Sequence, residues 1–319
     1  MIVTCGEAVV DFLPETDSDG HPLYRPILGG SLYNVALGLG RLGVPSAYYW
    51  ELSTDPFGDW LAAELANAGV ELAHLTRGVR PSTLAFVDLS GPEPHYQIID
   101  AGQTMSTLDP ASLGGLPAGA RLFHTGSAIL SLEPGGTAIE RFVHEVSKTV
   151  PVSLDFNVRP PSIADLDAYR ARLERLVASA TIVKASAADL AILEPETAPE
   201  TILSRWRSAG VPLAIVTLAE KGVMLATRDQ MVQRPARPVA LKDPVGAGDA
   251  FMTGLLARLS EFDALDTNAL SALSAEHLND ALDLALDLAA YVCRRPGAVF
   301  PWRRDLEAER LDLNSPLLP

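Results

Sequence analysis

Along the chain, short apolar runs alternate with segments whose apolar residues recur at every third and fourth position. The first pattern predicts buried strands and the second predicts amphipathic helices. Apolar runs lie at 2–13, 46–52, 121–127, 152–158, 181–186 and 213–218. Helical spacing lies at 31–43, 59–69, 137–148, 165–179 and 274–295. It appears again where Phe251, Leu255 and Leu259 repeat, with Met252 and Leu256 beside them. Two segments break the rhythm. Thr83–Leu89 and His95–Asp100 are strand-like around Gly91-Pro92-Glu93-Pro94, which predicts a hairpin. Residues 14–28 are rich in Pro and Asp and then extended, like a loop and one strand of a flap. The expected fold is α/β, with a mostly parallel central sheet flanked by helices and a small β-sheet lid. The lid strands would come from about 12–28 and 82–100, inserted in a single domain over 1–319. A further hairpin is expected at 222–236, and the charged, Pro-rich tail 300–319 is expected to be peripheral.

Composition narrows the class. Of 319 residues, 48% are hydrophobic, enough to bury a large core. The formal net charge of -15 leaves no basic field for nucleic acid or an anionic membrane. No apolar run approaches the length of a membrane span. Cys5 and Cys293 lie far apart, with no Cys-x-x-Cys, and read as free thiols of a reducing compartment. The N-terminus has no basic region ahead of an apolar one, so it reads as a first strand rather than a signal peptide. These observations point to the cytoplasm.

The candidate chemistry centres on Asp243-Pro244-Val245-Gly246-Ala247-Gly248-Asp249-Ala250-Phe251. A loop of small residues feeds a helix N-terminus there, where free backbone N–H groups and the positive dipole end suit a phosphate. Asp249 would repel such an anion unless it has a task. Either it caps the helix, or it takes the proton from a hydroxyl that attacks the phosphate. Other motifs are absent or misplaced. No Gly-x-x-x-x-Gly-Lys-Ser/Thr loop and no protein-kinase motif set occurs. Gly38-x-Gly40-x-x-Gly43 lies inside and at the end of a helix, so it serves close packing rather than a dinucleotide. His124 and Ser127 lack a Gly-x-Ser-x-Gly elbow and read as a strand end near a site.

Residues 243–249 resemble the signature of the PfkB (ribokinase-like) carbohydrate kinases, Asp-Thr-x-Gly-Ala-Gly-Asp, with Pro244 where Thr is usual. Gly29-Gly30-Ser31-Leu32-Tyr33-Asn34-Val35-Ala36 is similar to the family's Gly-Gly-x-x-x-Asn-x-Ala. Asp155-Phe156-Asn157-Val158-Arg159 resembles its Asp-x-Asn-x-Arg. The resemblance implies a ribokinase-like fold and ATP-dependent phosphorylation of a sugar hydroxyl. Asp249 would be the base, and Gly246, Ala247 and Gly248 the anion hole.

For the sugar, the resemblance implies Asp11, Gly30, Asn34, Tyr96 and Arg159. Tyr96 reads equally as an ordinary packing residue, and Arg159 as the partner of Asp155. For ATP it implies Lys184, Ser186, Thr217, Gly222, Gly246, Gly248 and Gly297. Mg²⁺ would be tied to Asp189, which could also simply start a helix, and K⁺ to Asp243. Relatives usually have Gly where Ala219 stands and Asn-x-x-Glu where Ser186 and Asp189 stand. Several segments look most like bacterial fructokinases. A 2-keto-3-deoxygluconate kinase would need a cation for the acid group, and Gln97 favours a neutral sugar. A non-catalytic sensing relative is the remaining alternative. The partners implied are a small sugar and ATP, with a homodimer through the lid as a further expectation.

Overall fold

The computed structural model describes residues 1–88 and 95–314. In chain order the strands are β1 (Ile2–Cys5), β2 (Val9–Thr16), β3 (Pro22–Gly29), β4 (Ser46–Tyr48) and β5 (Glu51–Ser53). Then follow β6 (Thr76–Gly78), β7 (Thr83–Asp88), β8 (His95–Ile99), β9 (Leu122–Gly126) and β10 (Val152–Asp155). The last are β11 (Ile182–Ser186), β12 (Leu213–Thr217), β13 (Val223–Ala226) and β14 (Met231–Arg234).

Among the described residues, eight strands form one sheet in the order β14-β13-β12-β11-β10-β9-β1-β4. It is parallel from β4 to β12, and the β13–β14 hairpin adds an antiparallel edge. Such a sheet is buried on both faces, which is why its strands read as near-continuous apolar runs. On one face lie the helices Ser31–Arg41, Ala247–Glu261 and Ala275–Cys293. The other face carries Pro56–Asn67, Gly135–Val146, Leu166–Val177 and Pro199–Ser208. The helix glycine expected to allow close packing does so. A Cβ on Gly38 would lie 2.7 Å from Thr253 and from Phe300.

A second sheet, β3-β2-β7-β8, stands apart from the first. The chain passes from β1 of the large sheet into β2 of the small one within three residues, through Gly6. The out-of-rhythm segments therefore do form one small sheet. The turn at Gly91–Pro94 and the side chain of Tyr96 lie outside the described residues.

Three expectations need correction. The run 46–52 is two strands, because the chain turns at Tyr49 and Trp50 and β5 pairs with β6 instead. The run 152–158 ends as a strand at Asp155. Asn157 has a left-handed φ of 38°, so the alternation of Asp155, Asn157 and Arg159 is not a strand face. The tail is not wholly peripheral: Phe300 and Leu306 are buried, and Arg303–Asn314 is a helix. Charge masked that helix, whose sequence is dominated by Arg, Asp and Glu.

Candidate active site

The carboxyl ends of β1, β9, β10 and β11 converge below the start of the helix Ala247–Glu261, as ligand sites of parallel sheets do. The helix is capped by Gly246 in the left-handed region, with no side-chain cap. Asp249 therefore is not the cap. It sits one position short of a full turn inside the helix and is 6% exposed.

Two side chains from the helix Ser31–Arg41 hold it. Ser31 Oγ donates to Asp249 Oδ1 at 2.7 Å, and Asn34 Nδ2 donates to Oδ2 at 2.8 Å. Ser31 and Asn34 are three residues apart, so one helix face presents both. Burial is the largest influence on Asp249 and raises its pKa, while Asn34, Ser31, Arg159 and Lys184 oppose it. A buried carboxylate with two donors is a base whose proton affinity is above that of a surface aspartate. Asn34 Oδ1 is buried without a hydrogen-bond partner.

The glycine loop is held in shape by Asp243. Its Oδ1 accepts from Val245 N at 2.9 Å and its Oδ2 from Gly297 N at 2.8 Å. This staples the loop to the turn after the helix Ala275–Cys293. Gly246, at φ 80°, abuts that turn so closely that a Cβ would meet Ala298 Cβ at 2.6 Å. Ala247 N donates to the Pro244 carbonyl at 3.1 Å and Ala250 N to Gly246 O at 2.8 Å. An anion cradled at this helix start would therefore meet the Gly248 and Asp249 amides rather than that of Ala247. Ala247, expected to contribute its own amide, has already committed it.

Lys184 does not reach out to solvent. Its Nζ lies 3.0 Å from both oxygens of Asp155, and the pair is buried at 3% and 2% exposure. A Cβ on Gly248 would fall 3.0 Å from that Nζ, so the cation sits directly behind the cradle. Burial lowers the Lys184 pKa, but Asp155, Asp189 and Asp249 outweigh it, and the amine stays charged. Arg159 is consequently not the partner of Asp155. It is exposed, and its Nη1 donates to Asn157 Oδ1 at 2.6 Å. Its charge favours the ionised forms of Glu7, Asp11 and Asp249.

Asp11, on β2, is half-buried, and burial pushes its carboxyl up to about 6 against the pull of Arg159. Gly29 and Gly30 are small because their neighbours leave no room. A Cβ on Gly29 would lie 2.4 Å from Asp11 Oδ2, and one on Gly30 2.5 Å from the Glu7 carbonyl.

Two expected site residues have other duties. Ser186 caps the helix Ala187–Leu193, and Asp189 completes a capping box. Asp189 Oδ1 also accepts from Val158 N at 2.7 Å, and its Oδ2 from Ser186 N at 2.6 Å. The helix-start reading of Asp189 matches these contacts, with one backbone amide on each carboxylate oxygen. Thr217 ends β12 beside Ser186, and Gly222 makes the tight turn into β13, with Leu218 N donating to Gly222 O at 2.7 Å. Ala219 has φ 51°, a conformation that explains the glycine usual there. Among the described residues, the group close enough to share an ion is Asp17, Asp19 and His21, in the exposed β2–β3 turn.

Sequence reasoning missed Ser31 and Glu7. Ser31 lies in an unspecified position of the glycine motif, and only its spacing to Asn34 marks it. Glu7 is a charge within an apolar run, the same signal that drew attention to Asp11.

Residues 1–304 match the pfkB family carbohydrate kinase. The chain belongs to this family. Among curated relatives, a fructokinase of Rhizobium leguminosarum bv. trifolii is 32% identical over 89% of this chain and 87% of its own. A fructokinase of Klebsiella pneumoniae is 34% identical over 95% and 96%. The structure of fructokinase from Vibrio cholerae O395, bound to fructose, ADP and calcium ion, aligns with TM-score 0.82. It is 26% identical, with 96% of this chain and 97% of that one covered. The fold is ribokinase-like, a large mostly parallel sheet flanked by helices with the small sheet β3-β2-β7-β8 beside it.

Proposed function

We propose that this carbohydrate kinase is an ATP-dependent fructokinase. The observation that carries the chemistry is Asp249: buried in the first turn of a helix that follows a glycine loop, with a donor on each oxygen. The sugar hydroxyl gives its proton to the Asp249 carboxylate. Its oxygen attacks the γ-phosphorus, the bond to ADP breaks, and ADP leaves. The Gly248 and Asp249 amides, backed by Lys184, stabilise charge on the moving phosphoryl group, where such catalysis chiefly lies. Asp11, Gly30 and Asn34 line the acceptor side, with Arg159 at its edge and Tyr96 on β8.

Gly246, Gly248, Gly297, Thr217 and Gly222 form the nucleotide side, and Lys184 acts there from behind rather than by direct reach. Mg²⁺ would shield the phosphate charges, and Asp189 would not reach it directly, because it is 5% exposed as well as held by two backbone amides. The Asp243 oxygens each accept one amide and keep a second lone pair, compatible with K⁺ against this loop.

Relatives that are fructokinases and a neutral Gln97 on β8 support fructose. Arg159 supports a second reading, 2-keto-3-deoxygluconate, because a guanidinium suits a carboxylate. A panel of sugars with ATP separates them. Fructose should give the highest kcat/KM, and a higher value for 2-keto-3-deoxygluconate would replace the assignment. No turnover on any sugar would favour a sensing protein.

In the same reading, 1–319 is one kinase domain of the cytoplasm, consistent with buried, unpaired Cys5. Leu23, Tyr24, Ile98 and Ile99 are exposed on the lid strands and support a homodimer through that sheet. Sedimentation of a Tyr24→Glu variant tests it.

A further inference from the structure

Ile27 lies on β3 of the small sheet, and the phosphoryl transfer described above makes no use of it. Exposure along β3 falls towards its end. Residues 22–25 are exposed, Pro26, Ile27 and Leu28 are half-buried, and Gly29 is buried. Ile27 meets a residue far away in sequence. Its Cδ1 packs on Gly297, in the turn after the helix Ala275–Cys293, and would lie 3.2 Å from a Cβ that this glycine lacks.

The register of the small sheet gives this contact a direction. Ile27 stands directly opposite Asp11 on β2, so the two side chains leave the same face of the sheet. One pair of facing residues thus joins the acceptor side of the site, at Asp11, to the nucleotide side, at Gly297.

From Gly297 the connection continues into the glycine loop. Gly297 N donates to Asp243 Oδ2 at 2.8 Å, and Val245 N donates to Asp243 Oδ1 at 2.9 Å. Gly246 follows Val245 and caps the helix that carries Asp249. Ala298, the neighbour of Gly297, packs on Gly246. A displacement of Gly297 is therefore passed to the loop by two hydrogen bonds and one close packing contact.

We propose that Ile27 is a positioning residue that couples the two substrates, so that bound sugar tightens nucleotide binding and bound nucleotide tightens sugar binding. The proposal rests on the reading above, in which Asp11 meets the sugar and the glycine loop meets ATP. A sugar that engages both Asp11 and Asp249 fixes the small sheet against the large one. In that pose Ile27 bears on Gly297 and holds the loop in shape. A nucleotide then meets a preorganised loop and loses less freedom on binding. Thermodynamic linkage requires the factor to be the same in both directions.

The test is the dissociation constant of the β,γ-imido analogue of ATP with Mg²⁺, measured by calorimetry with and without saturating fructose. It is run on wild type, Ile27→Val and Ile27→Leu. Val lacks the δ-methyl that meets Gly297, whereas Leu keeps one. In wild type, fructose should tighten the analogue about tenfold, and the analogue should tighten fructose equally. Ile27→Val should cut that factor to about threefold, the loss expected for one buried methyl group. Each ligand alone should bind it as in wild type. Ile27→Leu should stay close to the wild-type factor. A merely structural Ile27 would change melting temperature and both constants but leave their ratio in place. A wild-type ratio near one, a full ratio in Ile27→Val, or a factor lost equally in both variants overturns the proposal and leaves the kinase assignment standing. Failure of wild type to bind fructose would instead remove the sugar reading, and this proposal with it.

Discussion

Lys184 Nζ lies 3.0 Å from both oxygens of Asp155, and both side chains are buried at the floor of the cleft, directly behind Gly248. Breaking a buried pair leaves a charge without a partner, which typically costs about 3–5 kcal/mol. Lys184→Met should therefore destabilise the fold by about that amount in urea unfolding. Lys184→Met combined with Asp155→Leu should recover most of it, because no orphan charge remains. The double variant should still turn over slowly, as the cradle has lost the cation behind it. Full activity in the double variant would show that Lys184 serves stability only.

The contacts of Asp249 make Asp249→Asn a clean substitution. The new amide would face Asn34 Nδ2, but Asn34 can rotate its amide so that Oδ1, now unpartnered, accepts instead. Stability should change by no more than about 1 kcal/mol. The new side chain cannot take the hydroxyl proton, and general-base catalysis is worth about 10² to 10⁴ in rate. We expect kcat to fall at least about a hundredfold with sugar still bound. Steady-state kinetics beside a thermal melt checks both halves. A folded variant that keeps more than about a tenth of the wild-type kcat would remove Asp249 as the base.

Gly246 meets two constraints at once. Its φ of 80° is strained for any residue with a Cβ, and that Cβ would sit 2.6 Å from Ala298 Cβ. Gly246→Ala should cost about 1–2 kcal/mol from the backbone alone, with the clash added. The loop must shift to relieve it, so KM for ATP should rise and kcat should fall. Adding Ala298→Gly should restore part of the stability by removing the clash while the backbone strain stays. If Gly246→Ala binds ATP normally, the loop is not part of the nucleotide site.

Asp11 supplies a pH dependence with a definite sign. Its folded carboxyl titrates at about 6, raised from 3.8 chiefly by burial, with Arg159 opposing. Ionised Asp11 accepts sugar hydroxyls better than protonated Asp11, so sugar KM should rise as pH falls below about 6. Stability follows the opposite course. Between 3.8 and about 6 the folded state holds a proton that the unfolded chain has lost. That contribution is complete below the lower value and is lost as pH rises through the upper one. Asp11→Asn should flatten both profiles, and melting temperature with KM measured from pH 5 to 8 reads them together. A KM that is flat over this range would exclude Asp11 from the sugar site.

The legible parts of this protein were those with local physical causes. Strand and helix alternation follows from burial on one face or two, so the apolar pattern gave the large sheet and the out-of-rhythm strands of the small one. The phosphate-suited helix start was readable because small residues cluster there ahead of an apolar helical repeat. Asp249 was visible as a carboxylate at a phosphate-suited helix start, while Asn34 and Asp11 were reached through the resemblance to the family's signatures.

What failed to read out was pairing. Whether Asp155 meets Arg159 or Lys184 depends on the register between β10 and β11, which puts Asp155 beside Lys184. Whether Asp189 faces a metal or backbone amides depends on where Val158 turns. The burial of Phe300 and Leu306 depends on a groove made by residues far away in sequence, including Gly38. The sequence alone determined the order of the main strands and helices and the helix start that would suit a phosphate. Only the tertiary structure decided which charges are neutralised by which partners. Local propensity carries no information about neighbours more than a turn away, and the energy of a buried charge is set almost entirely by such neighbours.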